Sequence, residues 1–243
     1  MISPDTLKKV DAYWAGYFGC SEADLNGKDT KVFTHAALGT FDGALVFRRK
    51  DACVVSVPAT TPDIERSKLR AAKPAEAFNA AFLAKTFVIS GDKVTGPAWV
   101  GVADKGSFKP VKSEARLLTS KDEAAMRELA EGCGETAWKQ SKIAADRQTN
   151  FGLFAGGKLV AASGYLNMGG LLAYIGVIAH PGHRGKGYAR MVASFCMASA
   201  LENNLFPMWR TLDAHEAAVK LAGTLGFEKY ASTLDVQLTE DEF

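Results

Sequence analysis

The hydrophobic pattern of this chain changes character near residue 105. Before that point, short apolar runs of strand length mix with helical stretches. Lys31–Ala36, Ala44–Phe47 and Ala52–Val57 read as strands, the last two joined by Arg48–Asp51. Pro62–Ala71 and Pro74–Ala84 read as helices, each opened by a proline at an early position, where its missing N–H is no loss. Thr86–Ile89 and Val94–Ala103 read as a hairpin around Ser90–Lys93. Ahead of these, Tyr13, Trp14, Tyr17 and Phe18 interleave with Lys8, Lys9 and Asp11, which is the pattern of an amphipathic helix and lacks the continuous apolar stretch of a secretory leader. Between Lys105 and Ser113, Gly, Ser, Pro and Lys cluster without a period, so a domain boundary is expected there.

Beyond the boundary the elements follow one another more regularly. Arg116–Thr119 predicts a strand, and Ser120 caps a helix through Glu131 with Glu123 at the capping-box position. Trp138–Ala145 predicts a second short helix. Phe151–Phe154 and Lys158–Tyr165 flank Ala155-Gly156-Gly157, a hairpin signal. The apolar run Leu171–Ala179 is a strand, and Met191, Val192, Phe195, Cys196 and Leu201 recur at spacings of three and four along a long helix. Met208–Leu212 is again strand-like. His215–Leu225 is a short helix closed by Gly226, and Glu228–Leu238 supplies closing strands. The chain is therefore expected to be α/β (α+β), with a smaller N-terminal α+β domain over residues 1–112 and a second domain over 113–243.

Composition narrows the class without choosing a function. Hydrophobic residues at 47% and charged residues at 23% are ample for a buried core. A net charge of +2 with no long Lys/Arg run gives no ground for a nucleic-acid partner. No stretch approaches the apolar length of a membrane span. The four cysteines, Cys20, Cys53, Cys133 and Cys196, are scattered, with no CxxC and no histidine at metal spacing. No metal site is expected, and a reducing cytoplasm is the expected location.

The densest chemistry lies where Leu171–Ala179 runs into His180-Pro181-Gly182-His183-Arg184-Gly185-Lys186-Gly187-Tyr188-Ala189. A strand, a glycine-rich turn and a helix N-terminus together present free N–H groups and the positive end of the helix dipole to an anion. Arg184 and Lys186 add full charges. The turn is not a Walker loop, because Tyr188 and Ala189 follow Gly187 where Lys-Ser/Thr is required. It is not a dinucleotide fingerprint either, because Arg190 stands where the last glycine belongs.

Arg184-Gly185-Lys186-Gly187-Tyr188-Ala189 fits Arg/Gln-x-x-Gly-x-Gly/Ala, and here the chain resembles the GNAT superfamily of acetyl-CoA-dependent N-acetyltransferases. A second stretch agrees. In that family the corresponding helix commonly reads Asn-x-x-Ala-x-x-Leu-Tyr-x-x-x-Gly-Phe, and Ala218, Leu221, Gly226 and Phe227 match it. His215 stands where Asn is usual, and Ala222 where Tyr is usual. The resemblance spans roughly residues 113–238. It implies a mixed, mostly antiparallel twisted sheet flanked by helices, acetyl-CoA as co-substrate and no metal. It further implies that Arg184, Gly185, Lys186, Gly187, Tyr188 and Ala189 hold the pyrophosphate. The backbone of Val177, Ile178 and Ala179 would pair with pantetheine and polarise the thioester, with His215 beside the pantetheine arm. The usual Tyr is often the acid that protonates the departing thiolate, and Ala222 cannot serve.

The candidates for acid and base are therefore His215, Tyr174 and Glu135. An imidazole titrates in the useful range, although a His at this position also suits a helix cap. Tyr174 alternates with Gly176 and Ile178, so one strand face offers a phenol. Glu135 lies in the helix-to-helix region that often lines acceptor pockets in this family. Cys133 as an acyl carrier is a further option. The expected function is transfer of an acetyl group to a primary amine of a small molecule, amine-bearing antibiotics included. The alternatives are a protein lysine or N-terminal acetyltransferase, and a non-catalytic acyl-CoA-binding module. Residues 113–150 carry seven acidic and six basic side chains, too even a balance to mark the acceptor's charge. A monomer or homodimer acting on a small-molecule amine, with no nucleic-acid or membrane partner, is expected.

Overall fold

The computed structural model describes residues 1–39, 41–143 and 149–238. The chain forms two compact units. An N-terminal unit comprises Pro4–Val100, Thr211–Glu216 and Lys229–Phe243, and a C-terminal unit comprises Met1–Ser3, Gly101–Arg210 and Ala217–Glu228.

The N-terminal unit opens with α1 (Pro4–Phe18), which buries Val10, Trp14 and Phe18 at the four-residue spacing of one helical stripe. Trp14 and Phe18 both meet Phe47, at ring separations of 5.0 and 5.2 Å. The short α2 (Glu22–Leu25) is opened by a Ser21–Asp24 capping box. The strands β1 (Thr30–Thr34), β2 (Gly43–Arg49) and β3 (Ala52–Val57) follow. All six residues of β3 are buried, as in a strand covered on both faces. Then come α3 (Asp63–Ala71), α4 (Pro74–Ala77), α5 (Ala80–Phe87) and β4 (Val94–Val102). One expectation fails here. Thr86 and Phe87 complete α5, Val88 caps it in the left-handed region, and Gly91–Lys93 is a 3-10 turn, so Thr86–Ile89 forms no strand and no hairpin with β4. The reason is packing: Leu83, Thr86 and Phe87 bury at helical spacing, and Phe87 joins Leu69, Val55 and Leu234 in the core.

This unit also buries an ion pair. Asp11 of α1 meets Arg49 of β2, accepts from the Tyr230 hydroxyl at 2.6 Å, and accepts from Asn26 Nδ2 at 3.0 Å. The Arg49 guanidinium lies 4.3 Å from the Tyr230 ring centre. Every charge in the cluster has partners, the condition under which a buried pair is tolerable.

In the C-terminal unit β5 (Arg116–Leu117) leads to α6 (Glu123–Cys133) and α7 (Glu135–Ser141). The cap of this helical segment sits one residue earlier than Ser120. Thr119 is the capping residue, and Asp122 accepts from its N–H at 2.8 Å and from its hydroxyl at 3.2 Å. Ser120 instead begins a 3-10 turn that extends α6 backwards. Of the second helix expected over Trp138–Ala145, α7 supplies Trp138–Ser141, while Ala144 and Ala145 lie outside the described residues.

Asp122 carries a testable consequence. The Arg116 guanidinium, first, and then the Thr119 N–H hold its carboxyl well below the usual carboxylate range. A depressed folded-state value stabilises the fold above the unfolded value of about 3.9 and loses that contribution as pH falls through the folded value. Asp122→Asn is expected to lower stability at pH 7 by about 0.5–2 kcal/mol, the range of a lost cap. In urea melts the difference from the parent protein should narrow below about pH 4. A pH-independent difference would mean that shape, not charge, holds the cap.

The remaining elements are β6 (Asn150–Ala155), β7 (Lys158–Met168), β8 (Leu172–Ala179), α8 (Tyr188–Glu202), β9 (Phe206–Leu212), α9 (Glu216–Leu225) and β10 (Glu228–Gln237). Gly156 and Gly157 both take positive φ, 58° and 78°, as a two-residue hairpin turn requires. The C-terminal unit orders its strands β9-β8-β7-β6-β5, and the N-terminal unit orders them β1-β3-β2-β10-β4. Within the units the strands pair mostly antiparallel, with β1–β3 and β8–β9 parallel, and helices flank them. Met126, Leu129, Ile143, Leu159, Ala162 and Ile178 form the core between α6 and the sheet. No helix among the described residues is long and apolar enough to cross a membrane.

Candidate active site

The site begins with a strand that loses a neighbour. β8 pairs with β7 along its whole length, from Leu172 opposite Met168 to Ala179 opposite Ala161. With β9 it pairs only at Leu172, Ala173 and Tyr174. The alternation of strand backbones then decides which groups are left over. His180 donates its N–H to Val160 O at 2.9 Å, so even-numbered residues turn their main chain to β7. Leu171 O accepts from the Phe206 N–H at 2.8 Å, so odd-numbered residues turn theirs the other way. Past Tyr174, Ile175, Val177 and Ala179 therefore present N–H and C=O groups to the side where β9 no longer pairs. Ile178 differs: its main chain faces β7 at Ala162, and its side chain is in the core. Cys133 Sγ, at the end of α6, lies 3.8 Å from Ala179 O and covers one of these carbonyls. Burial pushes the Cys133 thiol up, with nearby Arg184 opposing.

The face of β8 that carries Ile178 also explains a glycine within an apolar strand. A Cβ on Gly176 would press into Ser141 O and stand 3.1 Å from the Lys142 carbonyl carbon, where the end of α7 descends onto the strand. Tyr174 is half-buried on that same face.

At its C-terminal end β8 enters the turn. His180 accepts from the Gly182 N–H at 3.1 Å, fixing the 3-10 turn Pro181–His183. Its imidazole lies against α6, where a Cβ on Gly132 would be 2.5 Å from Nε2. Gly185 and Gly187 take positive φ of 77° and 80°, and a Cβ on either would meet nothing within 4 Å. The turn is thus open to solvent, not packed. Gly187 is the N-cap of α8 and supplies no side-chain cap, so the first-turn N–H groups at Tyr188, Ala189 and Arg190 point outward without a capping oxygen. Arg184 and Lys186 are exposed, and neither joins an ion pair among the described residues. Burial, then Lys186, His180 and Lys158, pushes the His183 imidazole below its usual range, so it stays neutral near pH 7. Tyr188 is half-buried, its ring 6.2 Å from His183. Free N–H donors, a helix dipole and two unpaired cations can hold a phosphate, and the free edge of β8 can hold an extended amide chain.

The family model for GNAT acetyltransferases matches residues 118–233. Residues 118–233 belong to the GNAT acetyltransferase family. A GNAT acetyltransferase from Colwellia psychrerythraea shares the fold at a TM-score of 0.56, with 14% identity over 98% of both chains. A GCN5-related N-acetyltransferase from Kribbella flavida gives a TM-score of 0.51, with 15% identity over 84% of this chain and 90% of the other. A putative GNAT acetyltransferase from Novosphingobium aromaticivorans is 22% identical over 58% of this chain, with a TM-score of 0.46, and the chain spans 63% of its length. No curated protein matches.

Against the GNAT pattern the remaining candidates stand as follows. Ala222, where the family's Tyr is usual, is fully buried in α9. A phenol there would have to enter the core. His215 is exposed just ahead of α9, its N–H donating to Leu212 O at 2.9 Å. Glu135 is 79% exposed at the start of α7 and paired with Lys139 at 2.6 Å, which lowers its carboxyl. Among these groups, the structure brings Cys133, Arg184 and the odd-numbered edge of β8 together. Ile175 belongs to that edge and was not singled out from the sequence, because its place follows only from where β9 stops pairing. Gly176 did carry a signal, a glycine inside an apolar strand. No group of three or more His, Cys, Asp or Glu among the described residues could hold a metal ion.

Proposed function

We propose that the protein transfers the acetyl group of acetyl-CoA to a primary amine of a small molecule by direct attack in a ternary complex. The observation that carries this reading is the continuity of one strand, one turn and one helix: a free backbone edge leads straight into an open, cationic anion cradle. Arg184, Lys186 and the N–H groups of Gly185 to Ala189 take the pyrophosphate, with the Tyr188 ring beside them. The edge at Ile175, Val177 and Ala179 takes the pantetheine amides as an added strand would. The amine nitrogen attacks the thioester carbonyl carbon, and an N–H of this edge stabilises the oxyanion that forms. The C–S bond then breaks, and the thiolate leaves as the new ammonium loses its proton to solvent. The strand, turn and helix that hold the donor in this scheme all lie in the C-terminal unit.

The test is a screen of small primary amines, with lysine and N-terminal peptides alongside, following thiol release from acetyl-CoA. Turnover with a peptide alone would move the acceptor to protein. Acetyl-CoA binding with no turnover across both sets would mark a binding module.

His215 is the family's usual Asn position, and its exposed, cap-like placement suits a structural role. His215→Asn is expected to keep acetyl-CoA affinity and most of the turnover. General acid–base groups contribute about 100- to 10,000-fold. A loss of that size at unchanged affinity would make His215 the catalytic base or acid, ahead of Tyr174 and Glu135.

A further inference from the structure

The N-terminal unit contains a pocket of about 460 Å³ lined by charges of both signs. Arg48, Lys50 and Lys229 line it together with Asp213, and Phe78 and Pro97 supply apolar wall. Arg48 stands near the end of β2 opposite Ser232 of β10. Its guanidinium lies over the Phe78 ring, 5.9 Å from the centre, which holds the charge against the apolar wall. Lys50 follows in the turn with a positive φ of 51°. Asp213 arrives just past β9, its N–H donating to Pro97 O at 2.9 Å.

Two facts set this pocket apart from an ordinary charged surface. Asp213 Oδ1 is shut off from solvent and meets no hydrogen-bond donor. Buried polar atoms nearly always have partners, because an unsatisfied one forfeits its hydration without return. In addition, none of the four charged side chains joins an ion pair among the described residues, although all four line one cavity. The pocket therefore holds a carboxylate with no donor and three cations with no anion. A simple anion would satisfy the cations and leave Asp213 repelled. A simple amine would satisfy Asp213 and face three like charges.

We infer that this pocket binds a small zwitterion, its ammonium donating to Asp213 and its anionic group received by Arg48, Lys50 and Lys229. Phe78 and Pro97 line the carbon chain between the two ends. The inference is independent of the acyl-transfer reading, and its test keeps the two apart. The anionic group can be a carboxylate or a phosphate, so the probes include both.

The experiment is calorimetry on the full chain with glycine, β-alanine, 4-aminobutyrate and phosphoethanolamine, with propionate and propylamine as single-charge controls. At least one zwitterion should bind about tenfold or more tightly than either control, the worth of one charge-assisted contact. The carboxylate series reads the charge separation, and phosphoethanolamine reads the anion type. Asp213→Asn, nearly isosteric, should weaken the best zwitterion by about tenfold while leaving propionate unchanged or tighter. Lys229→Ala, at an exposed rim position, should weaken zwitterion and propionate alike. Acetyl-CoA affinity should not move in either variant. Propionate binding as well as every zwitterion would make this an adventitious anion site and overturn the inference. So would a panel in which nothing binds, or zwitterion binding that is indifferent to Asp213→Asn.

Discussion

Gly187→Val is expected to abolish useful acetyl-CoA binding in a protein that still folds. Gly187 has φ 80° and caps α8, a conformation that a β-branched residue adopts only with strain of about 1–2 kcal/mol. That strain is local, because a Cβ at this position meets nothing within 4 Å. The added side chain therefore projects into the space over the helix N-terminus, where the proposed pyrophosphate must approach. Losing two charge-assisted contacts of about 1.5–3 kcal/mol each raises Kd by about 100-fold or more. Arg184→Ala removes one such contact and should have the smaller effect. Calorimetry on folded protein decides the matter: affinity unchanged in Gly187→Val would remove this turn from the cofactor site.

Gly226→Ala should instead act on stability. Gly226 closes α9 with φ 95°, and a Cβ there would press into Ser107 O and stand 2.8 Å from the Ser107 carbonyl carbon. Both objections are backbone ones, so no side-chain rotation relieves them. The loop it meets is tied down, since Lys109 donates to Leu225 O at 3.0 Å and Ser107 N–H to Asp104 Oδ1 at 2.9 Å. Backbone strain of about 1–2 kcal/mol adds to overpacking of about 1–3 kcal/mol. At about 2–4 °C per kcal/mol for a chain of this size, Tm should fall by roughly 4–20 °C. A variant that melts with the parent protein would show that residues 104–109 yield at no cost.

The same glycine marks how far local pattern reaches. Gly226 reads as a helix stop from its position alone, and so do Gly156 and Gly157 as a hairpin turn, because positive φ is a local demand that few other residues meet. Local reading failed at Thr86–Ile89, where a β-branched and aromatic run resembles a strand. Thr86 and Phe87 are helical because the core of Leu69, Val55 and Leu234 receives them at helical spacing, a fact about distant residues. The cap near residue 120 failed by one position for a similar reason. Thr119 and Ser120 are equally good caps locally, and Arg116 holding the Asp122 carboxylate at 2.6 Å favours the first.

The chain's own sequence determined the strand–turn–helix of residues 171–202, the glycines that keep its turn open, and the family to which residues 118–233 belong. These depend on periodicity and on φ, which are properties of neighbouring residues. Tertiary structure alone decided which backbone groups of β8 are free. That follows from where β9 stops pairing, at Tyr174 opposite Met208, and from alternation along the strand: Ile175, Val177 and Ala179 are released while Ile178 is tied to β7. It also decided that Ala222 faces the core and that Asp213 shares a cavity with Arg48, Lys50 and Lys229. Positions far apart in the chain meet there, and no local rule of spacing or propensity records which of them will meet.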